Sequence, residues 1–557
     1  MRLVFVVLLV LVAASEAALR PKFADVSASR GIQTLSENHR RRPEGSKYDG
    51  ATIADLDCDG RYDLILSNHG NNAEWYWSKG HNMFESMDPR LYMHDVHGTA
   101  AGDLDDDGIM DVVFTIGGSG GQKPGVPIYY SVKKNHTWKR DAGFKYGFGN
   151  ELMRGRTAAF VDLNHDGKLD LMFINQQKLD GGRKNYVYQN LGNGKFRLRE
   201  NTGLEMRPGF TNTIVDINND GNIDILVFMI ERVDVYLGTG GFKFIKNNKI
   251  LPNINMRLVT SIVEFDYDRD GDFDLYMTRG YPGVYNMPNI LLENRNGIFV
   301  DVSNSTGVNI LGHNRHATFA DFNNDGWDDL YVTFTTDYKK RRMQDLMLLN
   351  NGGKFFTKTR NVGTQSKNPW EDGNNSIAFD FDNDGKPDIL SGNRNSTWNL
   401  YRNTTPKGNR HYIIVRVGRP ACASMNPKMD RSPMYAVVKV VTPGGIFMKR
   451  VSTPGRSHSQ ACMETLHFGL GTQTKVLRII VEYMGGVTVI REIGIQVDKI
   501  ITIGKVCKCP KGTNGPNCKL PAPVCGWKRC AGRRCERGFL NGNRRLIYYC
   551  VVGRKVP

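Results

Sequence analysis

The stretch Asp55-Leu56-Asp57-Cys58-Asp59-Gly60-Arg61-Tyr62-Asp63-Leu64 decides how this 557-residue chain is to be read. Counted from Asp55, it puts carboxylates at positions 1, 3, 5 and 9 and a glycine at position 6. The same pattern returns six more times. The second copy carries Asp103, Asp105, Asp107 and Asp111; the third carries Asp162, Asn164, Asp166 and Asp170. The fourth has Asp216, Asn218, Asp220 and Asp224, and the fifth has Asp266, Asp268, Asp270 and Asp274. The sixth has Asp321, Asn323, Asp325 and Asp329, and the seventh has Asp380, Asp382, Asp384 and Asp388. Successive copies start 48, 59, 54, 50, 55 and 59 residues apart, a period that suits the four-stranded blade of a β-propeller.

The positions that vary and those that do not identify the chemistry. Calcium is a hard cation that takes six to eight oxygens. Positions 1, 3, 5 and 9 hold only Asp, or Asn at position 3, and both supply an oxygen. Position 6 is always Gly, as a turn with positive φ requires. Position 7 should ligate through its carbonyl, and its side chain is correspondingly free: Arg61, Ile109, Lys168, Asn222, Asp272, Trp327 and Lys386. Positions 2 and 10 are apolar throughout, so each loop joins two buried strands, whereas an EF-hand joins helices and closes on a Glu at position 12. Carboxylates packed this closely repel one another unless a cation neutralises them. Calcium is therefore the expected cofactor, and its binding energy should enter the folding energy.

A second motif follows each loop: a strand, then Asn, a Gly-rich turn and Phe. It reads Tyr188 to Phe196, Leu291 to Phe299 and Leu348 to Phe355. After Phe299 the chain continues Val300-Asp301-Val302-Ser303, and the only twin of that continuation is Phe23-Ala24-Asp25-Val26-Ser27 near the start. The seventh unit stops at Asn403 without such a strand. Phe23 to Ile32 is thus expected to supply the outer strand of the last blade, closing a ring and hiding an edge. The expected fold is all-β: a seven-bladed β-propeller (18–405), a small antiparallel β domain (406–504) and a disulfide-rich basic tail (505–557).

Arg2, the apolar run Leu3–Ala14 and Ser15-Glu16-Ala17 have the makeup of a secretory signal peptide, residues 1–17. No later stretch reaches the ~18 apolar residues of a membrane span, so a soluble, secreted protein is expected. Asn135, Asn304, Asn374, Asn395 and Asn403 begin N-glycosylation sequons. Net charge is +17, and 25 of the 57 acidic residues are committed to the loops, leaving 32 against 74 Lys and Arg. The tail carries 13 basic residues against Glu536 alone. Lys528, Arg529, Arg533, Arg534, Arg544 and Arg545 are its candidate polyanion contacts. Seven of the ten cysteines lie in the tail, where disulfides fit an oxidising compartment better than a zinc site does. Connectivity does not follow from spacing.

The acidic loops resemble the FG-GAP/VCBS repeats of integrin α-subunit heads and related propellers. Leu466-His467-Phe468-Gly469-Leu470-Gly471, among strand-like stretches from His411 to Ile503, resembles the ASPIC/UnbV domain. Cys507 to Cys518 has the spacing of the second half of an EGF module. Together these resemble the cartilage acidic protein family, whose members are secreted calcium-binding matrix or neuronal-surface glycoproteins. The resemblance implies pairing of Cys509 with Cys518 and of Cys422 with Cys462. Three features depart from the family: Met434-Tyr435-Ala436 replaces a usual Gly-Ala, the EGF module is half present, and the chain is basic.

The expected function is a non-enzymatic, calcium-rigidified interaction scaffold binding matrix proteins or sulfated glycosaminoglycans, not nucleic acid. A lectin using Trp75, Tyr76 and Trp77 is the alternative, and a polysaccharide-degrading enzyme a third, disfavoured because no acid, base or nucleophile stands apart from the loops.

Overall fold

The computed structural model describes residues 19–32, 50–418 and 431–504 apart from short gaps (among them Cys58, 105–109 and 453–458), and the backbone of 535–540 and 543–550. Seven four-stranded antiparallel sheets occupy the chain up to Asn403. In the first, Ala51–Ala54, Asp63–Leu66, Glu74–Lys79 and Met83–Ser86 follow one another across the sheet. Their β-branched and aromatic side chains alternate between two packed faces, as short strands buried on both sides require. The remaining sheets repeat this order, and the acidic loop always joins the innermost strand to the next. In every sheet the residue before position 1 stands opposite the Asp of position 9: Ala54 to Asp63, Gly102 to Asp111, Val161 to Asp170, Val215 to Asp224, Phe265 to Asp274, Ala320 to Asp329 and Phe379 to Asp388.

Innermost strands of successive sheets touch in sequence order, and a shared core of Ile53, Leu64, Ile377 and Phe379 joins the last sheet to the first. The N-terminal strand Phe23–Asp25 pairs with Trp398–Asn403 in the register Phe23 to Asn403 and Asp25 to Tyr401. The borrowed outer strand is therefore present. Phe23 is buried against Phe322 with ring centroids 5.7 Å apart, worth about 2–3 kcal/mol of apolar burial. Its amide donates to the Val362 carbonyl at 2.7 Å.

Three sequence expectations need correction here. The hairpin of the sixth sheet runs Leu346–Asn350 to Phe356–Thr359, and Phe356 is buried while Phe355 is exposed. The extra residue in its Gly-rich turn shifts the register by one, which exchanges faces. Trp75, Tyr76 and Trp77 are all buried, so they form blade core and no sugar platform. Asn403 and Asn374 are buried as well and present no site for a glycan. Asn403 donates to the carbonyls of Phe322 at 2.8 Å and Pro387 at 2.9 Å and accepts from the Thr405 amide. Asn350 and Asn190 make the same bonds in their own blades, to the carbonyls of Tyr267 and Leu104. This Asn is a clamp between a blade and the acidic loop of the blade before it. Asn304 is exposed; Asn135 and Asn395 lie outside the described residues.

The second domain holds two sheets around its own core of Ile413, Val415, Val438, Val440, Phe468, Ile479 and Val481. In the three-stranded sheet, His411–Val417 lies between Thr465–Gly471, antiparallel, and Ile500–Ile503, parallel. The expectation of an all-antiparallel domain is corrected by that one pair. The second sheet runs Gly445–Arg450, Val437–Thr442, Arg478–Tyr483, Val487–Arg491, and then the tail strands Cys535–Leu540 and Asn543–Cys550. Part of the tail thus extends this sheet, with Val487 opposite Leu540.

Candidate metal centres

The described acidic loops share one hydrogen-bond pattern. The position 9 carboxylate accepts from the position 2 amide: Leu56 to Asp63 at 3.0 Å, Leu163 to Asp170 at 2.9 Å, Ile217 to Asp224 at 2.9 Å and Tyr267 to Asp274 at 3.0 Å. Its other oxygen accepts from the third strand of the blade: Ser78 to Asp63, Asn190 to Asp170, Gly238 to Asp224 and Asn403 to Asp388, all at 2.7–2.8 Å. Position 9 is therefore a brace for three strands as well as a ligand candidate. The position 6 glycine amide donates back to position 1: Gly60 to Asp55, Gly167 to Asp162, Gly221 to Asp216, Gly326 to Asp321 and Gly385 to Asp380. Those glycines have φ between 83° and 96°.

Position 4 went unread in the sequence. His165, Asn219, Arg269, Asn324 and Asn383 all take φ of 55–61°. Asn at three of these positions was the available signal, because Asn tolerates left-handed backbone.

The geometry gathers oxygens. Asp55, Asp57 and Asp59 have carboxylate atoms within 4.8 Å of one another, as do Asp266, Asp268 and Asp274, and Asp380, Asp382 and Asp388. Asp162, Asn164, Asp166 and Asp170 share one hydrogen-bonded loop, as do Asp216, Asn218, Asp220 and Asp224, and Asp321, Asn323, Asp325 and Asp329. In the second loop Asp103 and Asp111 are described, with Leu104 donating to Asp111 at 3.0 Å; Asp105 and Asp107 lie outside the described residues.

Burial, and then the neighbouring carboxylates Asp59 and Asp57, push Asp55 well above the usual carboxylate range. Burial, then Asp270 and Asp268, raises Asp266 to about 8. Burial raises Asp224 to about 7 and Asp380 to about 8. Protein alone thus holds these groups at a cost that a cation would remove. The donor set fits a hard cation: every ligand position supplies oxygen, none sulfur or imidazole. Oδ1 of Asp55 and Oδ1 of Asp382 are buried without a hydrogen-bond partner, as oxygens reserved for a metal would be. Bound there, calcium would supply charge neutralisation and rigidity.

The second domain lies over several of these loops. Arg410 donates to the Asn323 carbonyl at 2.9 Å, and the Gly471 amide to that of Asn324 at 3.2 Å. His467, held neutral because burial pushes it down to about 3, donates from Nε2 to the Gly385 carbonyl at 3.0 Å. Arg416 reaches the Gly60 carbonyl at 3.3 Å, and Thr465 meets the Tyr62 hydroxyl at 2.5 Å. Arg269 donates to the Gly444 carbonyl at 3.2 Å and sits 3.8 Å from the centre of the Phe447 ring. Arg450 enters the propeller to pair with Glu264 at 2.8 Å, both fully buried.

Of the other candidates, Cys462 is buried, and Cys422, Cys509, Cys518, Lys528, Arg529, Arg533 and Arg534 lie outside the described residues. Arg544 and Arg545 fall on the strand Asn543–Cys550.

Repeated acidic loops on four-stranded blades, followed by this second domain, define the class: the chain carries FG-GAP-like repeats, matched at residues 55–114, 162–227, 216–277 and 266–332, and an ASPIC and UnbV domain, matched at 427–506. The seventh loop lies outside those matches yet keeps their hydrogen bonds. Among particular proteins, the chain is similar to Cartilage acidic protein 1 of Xenopus tropicalis, 23% identical over 419 residues, covering 71% of this chain and 54% of that one. The protein of that name from Mus musculus is 23% identical over 430 residues, covering 73% and 56%. The chain spans about half the length of the curated relatives it matches. Among solved structures, an Agrocybe aegerita lectin recognising non-reducing terminal N-acetylglucosamine aligns with 64% of this chain and 94% of its own, at 15% identity and a TM-score of 0.41.

Proposed function

We propose that this chain is a secreted, calcium-binding extracellular-matrix scaffold that binds polyanions and performs no catalysis. The carrying observation is the repeated acidic loop, whose described copies gather carboxylates that include Asp55 and Asp266, both raised by burial and by neighbouring carboxylates. The relatives named cartilage acidic protein support a matrix setting. Among the described residues, the grouped carboxylates that could hold a metal belong to the acidic loops, which supports a binding role over hydrolysis or elimination. The cationic surplus supports sulfated glycosaminoglycans as ligands.

Thermal unfolding in millimolar calcium and in excess chelator tests the metal. At the affinities of extracellular calcium modules, each filled site adds about 0.4–1.4 kcal/mol, so several sites shift the midpoint by many degrees. Identical melting curves overturn the reading. Retention on heparin resin tests the polyanion. Because the tail strands extend the second domain's sheet, charge reversal at Lys528, Arg529, Arg533 and Arg534 is a cleaner change than truncation. Loss of retention, and its steep decline with salt in the unaltered protein, are expected; unchanged retention contradicts the assignment of those residues.

A further inference from the structure

The second domain does more than lie beside the propeller. It sends the segment Ser459–Met463 along the inner edges of the first three blades. The Gln460 amide donates to Thr99 at 2.8 Å, and the Cys462 amide to Ile53 at 2.9 Å. The Gln460 side chain accepts from the Phe160 amide at 2.7 Å and donates to the Phe160 carbonyl and the Tyr435 hydroxyl, each at 2.9 Å. Innermost strands of a propeller leave one edge of backbone groups unpaired, and this segment satisfies part of it as a short parallel strand, Ala54 to Cys462 and Ala100 to Gln460. Tyr435 holds φ of 63° to make its contact, a backbone costly for an aromatic residue.

At the loops, the contacts fall on main-chain carbonyls: Gly60, Asn323, Asn324 and Gly385. The Phe468-Gly469-Leu470-Gly471 stretch approaches so closely that a Cβ on Gly469 would lie 1.8 Å from Asp321 Oδ2, and the Tyr412 ring fills the space a side chain on Gly385 would need. The direction of those carbonyls depends on the left-handed residues at positions 4 and 6, and that turn is tied by the glycine amides that donate to the position 1 carboxylates, Gly60 to Asp55, Gly326 to Asp321 and Gly385 to Asp380. Covering Asp55 and Asp321 with a second domain also removes the water that would otherwise screen them, and the charges of Arg416 and Lys449 that this domain brings near them offset only part of that cost.

We infer that the acidic loops of the first, fifth, sixth and seventh blades form a docking surface whose partner is this chain's own second domain, with the metal ion as part of the interface. This rests on the calcium reading above. By linkage, docking and ion binding then strengthen each other equally. The Gly-rich stretch of the second domain is the element that reads the sixth loop.

Hydrogen exchange of the full chain, followed by mass spectrometry in millimolar calcium and in chelator, tests this. Chelation is expected to raise exchange in the loops and, together with them, in 459–463 and 465–471, while Val437–Thr442 and Arg478–Tyr483 stay protected. Loops that open while 459–471 stays protected overturn the docking inference and leave the calcium reading standing; no response anywhere overturns both. With calcium present, Gly469→Val is expected to expose 465–471 and to raise the calcium needed for half-protection of the sixth loop roughly fivefold or more. Should that variant fail to fold, Thr465→Val, which loses the side-chain hydrogen bond to Tyr62 while keeping the backbone amide bond to its hydroxyl, is expected to act in the same direction, more weakly, on the first loop. Variants that leave both protection and calcium dependence unchanged contradict the inference.

Discussion

The fourth and sixth loops share a motif and differ in surroundings. Both tie position 5 to position 1 by an amide bond of 3.0 Å, and both return the glycine amide to position 1. In the fourth loop Asn218, Asn219 and Asp220 are exposed; in the sixth Asn323 and Asn324 are buried, and Asp321 is 1% exposed beneath Gly469. The motif dictates how a loop is wound. Asp216 and Asp224 of the fourth loop are buried too, so what another domain adds is cover for the outer positions of a loop, 3 to 5.

The largest effect that could break this comparison is electrostatic. Asp224, Asp266 and Asp380 are raised in the folded chain to about 7, 8 and 8. A raised folded pKa gives stability that is full below about pH 4 and lost as pH climbs through 7 to 8. Chelated protein should therefore lose stability steadily between those limits, while calcium, competing with protons, should hold it at neutral pH. Denaturant midpoints measured across that range check the sign; a chelated chain most stable at pH 8 contradicts it.

Next in size is Arg450→Met. It would strand Glu264 in the interface between the two domains, at a cost of about 3–5 kcal/mol in equilibrium unfolding. A cost below ~1 kcal/mol would mean that the pair is solvated and the domains are loosely placed.

Asp325→Asn and Asp220→Asn sharpen the contrast directly, because they change the same position in the covered and the open loop. The covered site should lose about 1 kcal/mol in millimolar calcium and the open one about half that. Equal losses would show that coverage carries no energetic weight. The smallest effect belongs to the exposed sequon: Asn304→Gln should alter stability by no more than ~0.5 kcal/mol, and in secreting cells should remove one glycan by mass.

Legibility in the sequence followed the range of the interaction. Loop spacing, glycine at position 6 and the Phe23 to Ser27 echo are local patterns, and the strand from Phe23 to Asp25 lies where its echo placed it. The slip from Phe355 to Phe356 came from one added turn residue, which a repeat template does not count. Asn403 was misread because a three-residue sequon carries no information on burial, whereas the repeat-wide clamp formed by Asn190, Asn350 and Asn403 does. The docking of Gln460 on Phe160 or of Thr465 on Tyr62 joins residues 300 and 403 positions apart. No periodicity encodes such a pairing. Even so, the glycines at 469 and 471 were visible as a motif before their neighbour was.

Counting calcium is the most direct test of the whole account. Isothermal titration of the metal-stripped full chain at neutral pH should show saturable binding of several ions per chain, approaching one for each acidic loop, with exothermic or endothermic heats abolished by prior chelator. Saturation at a single ion, or no saturable binding at millimolar calcium, would contradict it.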